Sequence, residues 1–133
     1  MNCNHARTLD HWGITKFGKY EYKESIEEMR HADAVIQRIL FLDGLPNVQR
    51  LNNVMIGQSP EEILRCDLRL EEKAIADLRD GIAYCEQVRD LLAGILRDEE
   101  HHVDFVETQL DLIDRTGIQN WVQLNSEAAG GEH

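Results

Sequence analysis

The chain has 133 residues, 42% of them hydrophobic, which is one domain's worth of sequence with enough apolar material for a sizeable core. A formal charge of −11 argues against nucleic acid or an anionic membrane surface as partner, because both require a basic face. Only two prolines interrupt a sequence dominated by Leu, Ile, Glu, Arg and Ala, so long helices are favoured over strands and the class is all-α.

No stretch approaches the roughly 18 apolar residues of a membrane span, and Met1 to Phe17 lacks the apolar run of a signal peptide, so a cytosolic, cytoplasmic protein is expected. The three scattered cysteines, Cys3, Cys66 and Cys85, fit a reducing compartment better than a disulfide framework and are expected as small core fillers.

In chain order, His5 to Trp12 has room for one or two helical turns ahead of a first long helix that begins between Thr15 and Lys19. That helix runs to Asp43, where Gly44 supplies a stop and Pro46 prevents continuation. Leu45 to Gln58, rich in Asn and with Gly57 near its end, is expected to be a long crossover connection. Ser59-Pro60-Glu61-Glu62 is a strong helix start: a Ser N-cap, Pro at the first position and Glu at the third to complete a capping box. The second long helix continues into the eighties. A third occupies about Asp90 to Arg115 and stops at Gly117, after which Ile118 to Leu124 can form a short amphipathic helix and Ala128 to His133 a loose tail. A long crossover suits a four-helix bundle in which the flanking helices run parallel, and three long helices then leave one missing.

The chemistry lies in the buried seams. In the second helix Leu64, Leu68, Glu71, Ile75, Leu78 and Ile82 follow at alternating spacings of four and three, and Glu71 interrupts the apolar stripe. In the third, Leu92, Leu96, Glu99, Val103, Val106, Leu110 and Ile113 make the same stripe, with His102 adjoining it one turn beyond Glu99. The first carries Glu24, Glu28, His31, Val35, Ile39 and Leu42 in one seam. Carboxylates that face one another in a core repel and are costly to bury, so a cation between them is expected. Glu and His at i and i+3 project from one helix face and can share metal ions, and oxygen and nitrogen donors without thiolate suit iron or manganese. A single Glu-x-x-His is usually a solvated surface pair. Here Glu28-Met29-Arg30-His31 and Glu99-Glu100-His101-His102 both lie in phase with apolar seams, and Glu71 adds a lone carboxylate, giving five of the six ligands of a di-iron carboxylate bundle. Asp98 and His101 offer a competing spacing whose phase points away from the stripe, and His5, His11 and His133 look incidental. Glu71 and Glu99 are level in an antiparallel pair only if the turn falls near Cys85, where no turn residue stands. Either the helix breaks early at Gly81 or the two carboxylates fall out of level.

The stretch Tyr22-Lys-Glu-Ser-Ile-Glu-Glu-Met-Arg-His-Ala-Asp33, with Arg38-Ile-Leu-Phe-Leu-Asp-Gly-Leu-Pro-Asn47, resembles the bacterioferritin family, and so do Ile95 to Glu100 and Glu107 to Ile113. The resemblance extends from His5 through Gln123. It implies a ferritin-like helical bundle over residues 1–127, with 1–14 a stub of a first helix that is largely absent, and a cytosolic iron-storage shell of 24 subunits. It also implies oxidation of Fe(II) to Fe(III) with oxygen or peroxide at an intrasubunit di-iron centre. On the matching positions Glu28 and Glu99 would bridge the irons, His31 and His102 would each cap one, and Glu71 would be terminal. Met29 occupies the position of the haem b axial ligand at the family's two-fold dimer interface, and Tyr22, Ile26, Met29, Ile36 and Leu40 form an outer apolar seam suited to a flat cofactor. Three departures accompany these matches, one of them that about five residues expected at the start of the last long helix are missing between Val88 and Leu92. The sixth ligand, a terminal Glu of the first helix, has no counterpart, since no Glu precedes Glu21; and Lys23 stands at an inner-surface iron position where Glu27 keeps its carboxylate. The leading expectation is therefore a ferroxidase subunit that forms a homo-oligomer or co-assembles with a full-length subunit. A non-catalytic subunit that keeps the haem and dimer face, and a ferritin-like di-metal peroxidase, are the alternatives.

Overall fold

The computed structural model describes residues 3–42, 44, 56–84 and 86–127, and all of their regular structure is helical. Helix α1 spans Cys3–His11, α2 Thr15–Phe41, α3 Pro60–Tyr84, α4 Arg89–Thr116 and α5 Ile118–Leu124, with a short 3-10 turn at Glu86–Val88 ahead of α4. Local hydrogen bonds close the start of α3 and the ends of α2 and α4, whereas α2, α4 and α5 begin without a side-chain cap. Gly13, at φ 79°, makes the reversal between α1 and α2, and Gly117, at φ 84°, does the same between α4 and α5. At the start of α3 the Ser59 hydroxyl accepts from the Glu62 N–H at 3.2 Å, while the Glu62 carboxylate reaches one residue further back than in a standard capping box, to the Gln58 N–H. At the end of α2 the Gly44 N–H donates to the Ile39 carbonyl at 2.8 Å. The expected crossover from Leu45 to Met55, the residues Asp43 and Cys85, and the tail from Ala128 lie outside the described residues. Cys66 is buried in α3, as expected of a core filler.

Side-chain pairs fix the directions of the helices. Tyr20 stacks on Phe105, Glu24 meets His102 and His31 meets Asp98, so positions that rise along α2 fall along α4 and the two are antiparallel. Glu71 faces His102, and a side chain at Gly81 would touch Leu92, so α3 and α4 are antiparallel as well. Helices α2 and α3 therefore run parallel, the arrangement a long crossover serves. The turn between α3 and α4 does form next to Cys85, without a glycine or proline: α3 stays helical through Gly81 to Tyr84, and the tighter 3-10 turn completes the reversal. Neither expected difficulty arises, because the break comes late enough to keep Glu71 and Glu99 level.

The densest packing lies at one end of the bundle. Leu9, Ile14, Phe17, Ile63, Leu64, Val106, Ile113 and Trp121 form a buried cluster there, with the Trp121 ring edge-on to Phe17 and its N–H donated to Gln109. At the other end Val35, Ile36, Ile39, Leu78 and Leu92 are only partly buried and line an open groove of about 500 Å³ that leads to Glu28, His31 and Glu99. No described helix is long and apolar enough to cross a membrane.

Candidate metal centre

Between the packed end and the groove, polar side chains take over the seam. Along α2, Glu21, Glu24, Glu28 and His31 recur at three- and four-residue spacing and so share one face; α3 contributes Asp67 and Glu71, and α4 contributes Asp98, Glu99 and His102. Glu24, Glu71, Glu99 and His102 are buried, the last three at 2%, 1% and 5% exposure. The Glu28 and His31 side chains keep 31% and 16% exposure, on the side that opens to the groove.

Four of the five residues expected as ligands gather in one cluster, and the fifth, His31, borders it through Glu28 and Glu99. One donor atom each from Glu28, Glu71, Glu99 and His102 lie within 4.8 Å of one another. Glu99 divides its two oxygens: Oε1 is 3.5 Å from His31 Nδ1, and Oε2 is 3.6 Å from His102 Nδ1. Glu28 Oε1 lies 4.0 Å from His31 Nδ1 and 3.9 Å from His102 Nδ1. Glu71 Oε1 is 3.8 Å from His102 Nδ1, and no ion pair joins it to His31 among the described residues. These separations exceed hydrogen bonds and are those of donors arranged around common ions. Glu28 Oε1, Glu71 Oε2, Glu99 Oε2 and both Nδ1 atoms are buried without a hydrogen-bond partner, which marks a site built for something the protein itself does not supply.

The outer ring nitrogens face carboxylates. His31 Nε2 bonds Asp98 at 2.9 Å, and His102 Nε2 meets Glu24. Glu27 lies between the two rings, 3.8 Å from His31 Nε2 and 3.6 Å from His102 Nε2. A proton held on Nε2 by a carboxylate leaves the Nδ1 lone pair for a metal and fixes the ring plane. Asp98, whose phase pointed away from the stripe, therefore takes part through its reach across to α2; His101 is exposed and does not. Glu24 stood in the expected seam without a role, and Glu27 turns toward the imidazoles while Lys23 is exposed. The sequence signal for these three carboxylates is their placement within one turn of a ligand. His5, expected to be incidental, is fully buried in a polar cluster with Glu21 and Asp67.

Without a metal the carboxylates compensate one another with protons. Burial, together with the close Glu99 carboxylate, pushes Glu28 up to about 8. Burial alone would raise Glu99 too, but the neighbouring His102 and Glu28 side chains outweigh it and bring Glu99 below the ordinary carboxylate range. Burial works against the charge on His102, yet its pairing with Glu24 and the nearby Glu99 carboxylate lift it to about 10. Metal binding must displace the protons of Glu28 and His102, so affinity rises with pH. Stability of the metal-free chain runs the other way. Glu28 titrates at 4.5 and His102 at 6.5 when unperturbed, so between about pH 4.5 and 10 the folded state binds more protons than the unfolded one, and stability falls as pH rises. The lowered Glu99 has the opposite effect only in acid. Between pH 6 and pH 9 the Tm of the metal-free protein is expected to drop by several degrees; a Tm that rises over this range in thermal unfolding contradicts the charge arrangement.

A ferritin-like domain family model matches residues 3–116, which includes every helix that builds the centre. The bacterioferritin of Rhodobacter capsulatus is 46% identical over 127 residues, covering 92% of this chain and 79% of that protein. The bacterioferritin of Streptomyces coelicolor is 49% identical over 118 residues, 85% of this chain and 71% of the relative. That of Brucella melitensis is 43% identical over 130 residues, covering 94% and 81%. With identity of this order along most of its length and a family match across the whole centre, the chain belongs to the bacterioferritins.

Proposed function

We propose that this chain serves iron storage by binding Fe(II) at the Glu28, His31, Glu71, Glu99 and His102 cluster and oxidising it to Fe(III). The observation that carries this reading is the division of Glu99 between the two imidazoles, one oxygen toward each Nδ1. Glu28 and Glu99, shared between the two imidazoles, would hold both ions, His31 and His102 one each, and Glu71 the ion on the His102 side. Iron held there would supply the redox chemistry, each Fe(II) losing one electron to oxygen or peroxide. The protein positions the donors, keeps the imidazoles oriented through Asp98 and Glu24, and takes up or releases the protons of Glu28 and His102 as charge enters and leaves.

The two halves of the site are unequal. Glu71 supports the His102 side, whereas the His31 Nδ1 faces only the shared Glu28 and Glu99 among the described residues. Losing one donor weakens a metal site and opens it to water, so the His102 side is the tight one. Anaerobic titration with Co(II) or Fe(II) should show two ions per chain in two steps, the first at least about tenfold tighter. Glu71→Ala should weaken the tight step selectively and Glu99→Ala both, with Fe(II)-dependent oxygen uptake lost in Glu99→Ala. No more than one weak ion in the unmodified chain would rule the reading out.

A second reading concerns the outer face of α2. Met29 is 60% exposed, Leu40 54% and Tyr22 44%, with Ile26 partly buried beside them, whereas Ile36, expected in this seam, lines the inner groove. A contiguous exposed apolar face of this kind suits a partner subunit and a flat cofactor. We propose that two copies meet there as part of the larger shell and hold haem b between their Met29 side chains. This function survives even if the His31 half of the iron site is too weak to work, leaving a haem-bearing, non-catalytic subunit. Haem added to the purified protein should bind at one per two chains with a bis-methionine absorption spectrum. The spectrum should vanish in Met29→Ala; binding unchanged by that substitution contradicts the assignment.

A further inference from the structure

One helical turn toward the packed end from the metal cluster, His5, Glu21 and Asp67 are each 0% exposed. They come from α1, α2 and α3, and their donor atoms lie within 4.8 Å of one another, the spacing of a further metal site. The hydrogen bonding argues for a different use. His5 Nε2 accepts the Gly57 N–H at 2.9 Å, so its lone pair is occupied and the ring proton sits on Nδ1. Nδ1 is 3.4 Å from Asp67 Oδ1 and donates to it. A cation at Nδ1 would force the proton onto Nε2, against the Gly57 N–H that already points there. His5 is therefore held neutral and serves Asp67 as a fixed donor.

That leaves Glu21. Both of its oxygens, and Asp67 Oδ2, are buried with no protein group donating to them. Two fully buried carboxylates this close cannot both be ionised, and a proton between them satisfies the orphan oxygens of both. Burial and the hydrogen bond to Asp67 accordingly hold the Glu21 carboxyl well above the usual range. The titratable groups facing Glu21 come from every helix packed on it, and of these Asp67 and Glu24 favour its proton. From α1 comes neutral His5; from α2, Glu24 and the Tyr20 hydroxyl, which burial and these acids keep protonated; from α3, Asp67; and from α4, His102 through its pair with Glu24.

We propose that Glu21 and Asp67 store a single shared proton in the wall of the metal centre, and that this proton is released when divalent cations enter the adjoining cluster. Glu21 precedes Glu24 by three residues and Glu28 by seven, about 5 and 10 Å along the helix. At such distances each net positive charge gained in a protein interior raises the acidity of a carboxyl group by roughly tenfold. The step is a dissociation, Glu21–COOH to carboxylate plus a proton passed to solvent, and it offsets part of the charge that two cations bring. Asp67, anchored by His5, holds the geometry, and Glu21 carries the proton.

This inference rests on the metal-binding reading, and Zn(II), which has no redox chemistry, separates the two. The metal-free protein at neutral pH should show carbonyl stretching bands of two protonated carboxyl groups, Glu28 and Glu21, in its infrared spectrum, both lost on Zn(II) loading. Glu21→Gln should remove one band and lower by one the protons released per chain in a pH-stat titration with Zn(II). Glu28→Gln should leave the Glu21 band in place and still lost on loading, which keeps the test sound should Glu21→Gln fold poorly. The proposal is overturned if Glu28→Gln abolishes all protonated-carboxyl signal, if Glu21→Gln releases as many protons as the unmodified chain, or if a further Zn(II) binds that Glu21→Gln removes. Absence of any Zn(II) binding would overturn both readings, whereas Zn(II) binding with an unchanged Glu21 band would overturn this one alone.

Discussion

Carboxylates buried between three helices and balanced by only two imidazoles are the constraint on which this structure turns. Glu24, Glu71 and Glu99 lie in the seam almost without solvent, with Glu28 at its edge, and an apolar core cannot hold such a set ionised. The metal-free chain answers with protons: one on Glu28, one on His102 and, a turn further in, one held by Glu21. Each of these is a charge that a metal ion can replace. On the reading proposed above, the cluster is a cation site whose resting state is filled with hydrogen ions, and its poor fit as a hydrophobic core is what suits it to a metal.

The register of the helices converts that chemistry into geometry. Because α2 and α4 are antiparallel, the two Glu-x-x-His motifs are related by a local two-fold arrangement: Glu28 lies opposite Glu99, and each imidazole turns its Nδ1 inward and its Nε2 toward a carboxylate, Asp98 for His31 and Glu24 for His102. Glu71 breaks the symmetry by serving one half only. The same asymmetry appears in exposure, since Glu28 and His31 border the open groove while Glu71, Glu99 and His102 are covered. Packing follows the same gradient, with the aromatic cluster around Trp121 closing one end and partly buried aliphatic residues leaving the other open. Rigid packing below and access above are what a site that must admit ions and still hold its ligands requires.

Much of this was legible before any coordinates. Helix periods reveal which residues share a face, and end signals such as Ser59-Pro60 and Gly117 act locally, so the long helices and the shared seam positions of Glu28, Glu71, Glu99 and His102 followed from spacing. The turn beside Cys85 did not, because no glycine or proline encodes it; seams on both sides that must stay in contact select a 3-10 reversal at that level. Asp98 was placed off the site by its helical phase, yet a side chain at the stripe's edge can still span to a neighbouring helix. His5 is the clearest case of what a single helix pattern cannot carry. Its partners, Gly57 and Asp67, are 52 and 62 residues away, and nothing near His5 distinguishes it from a surface histidine.

The central claim is that Glu99 divides its carboxylate between two ions of unequal hold. Anomalous diffraction at the iron edge from crystals of the protein loaded with Fe(II) under anaerobic conditions tests it most directly. Two peaks per chain are predicted, one between Glu99 Oε2 and His102 Nδ1 at full occupancy and a weaker one between Glu99 Oε1 and His31 Nδ1. A single peak away from Glu99, or none within the bundle, would contradict it.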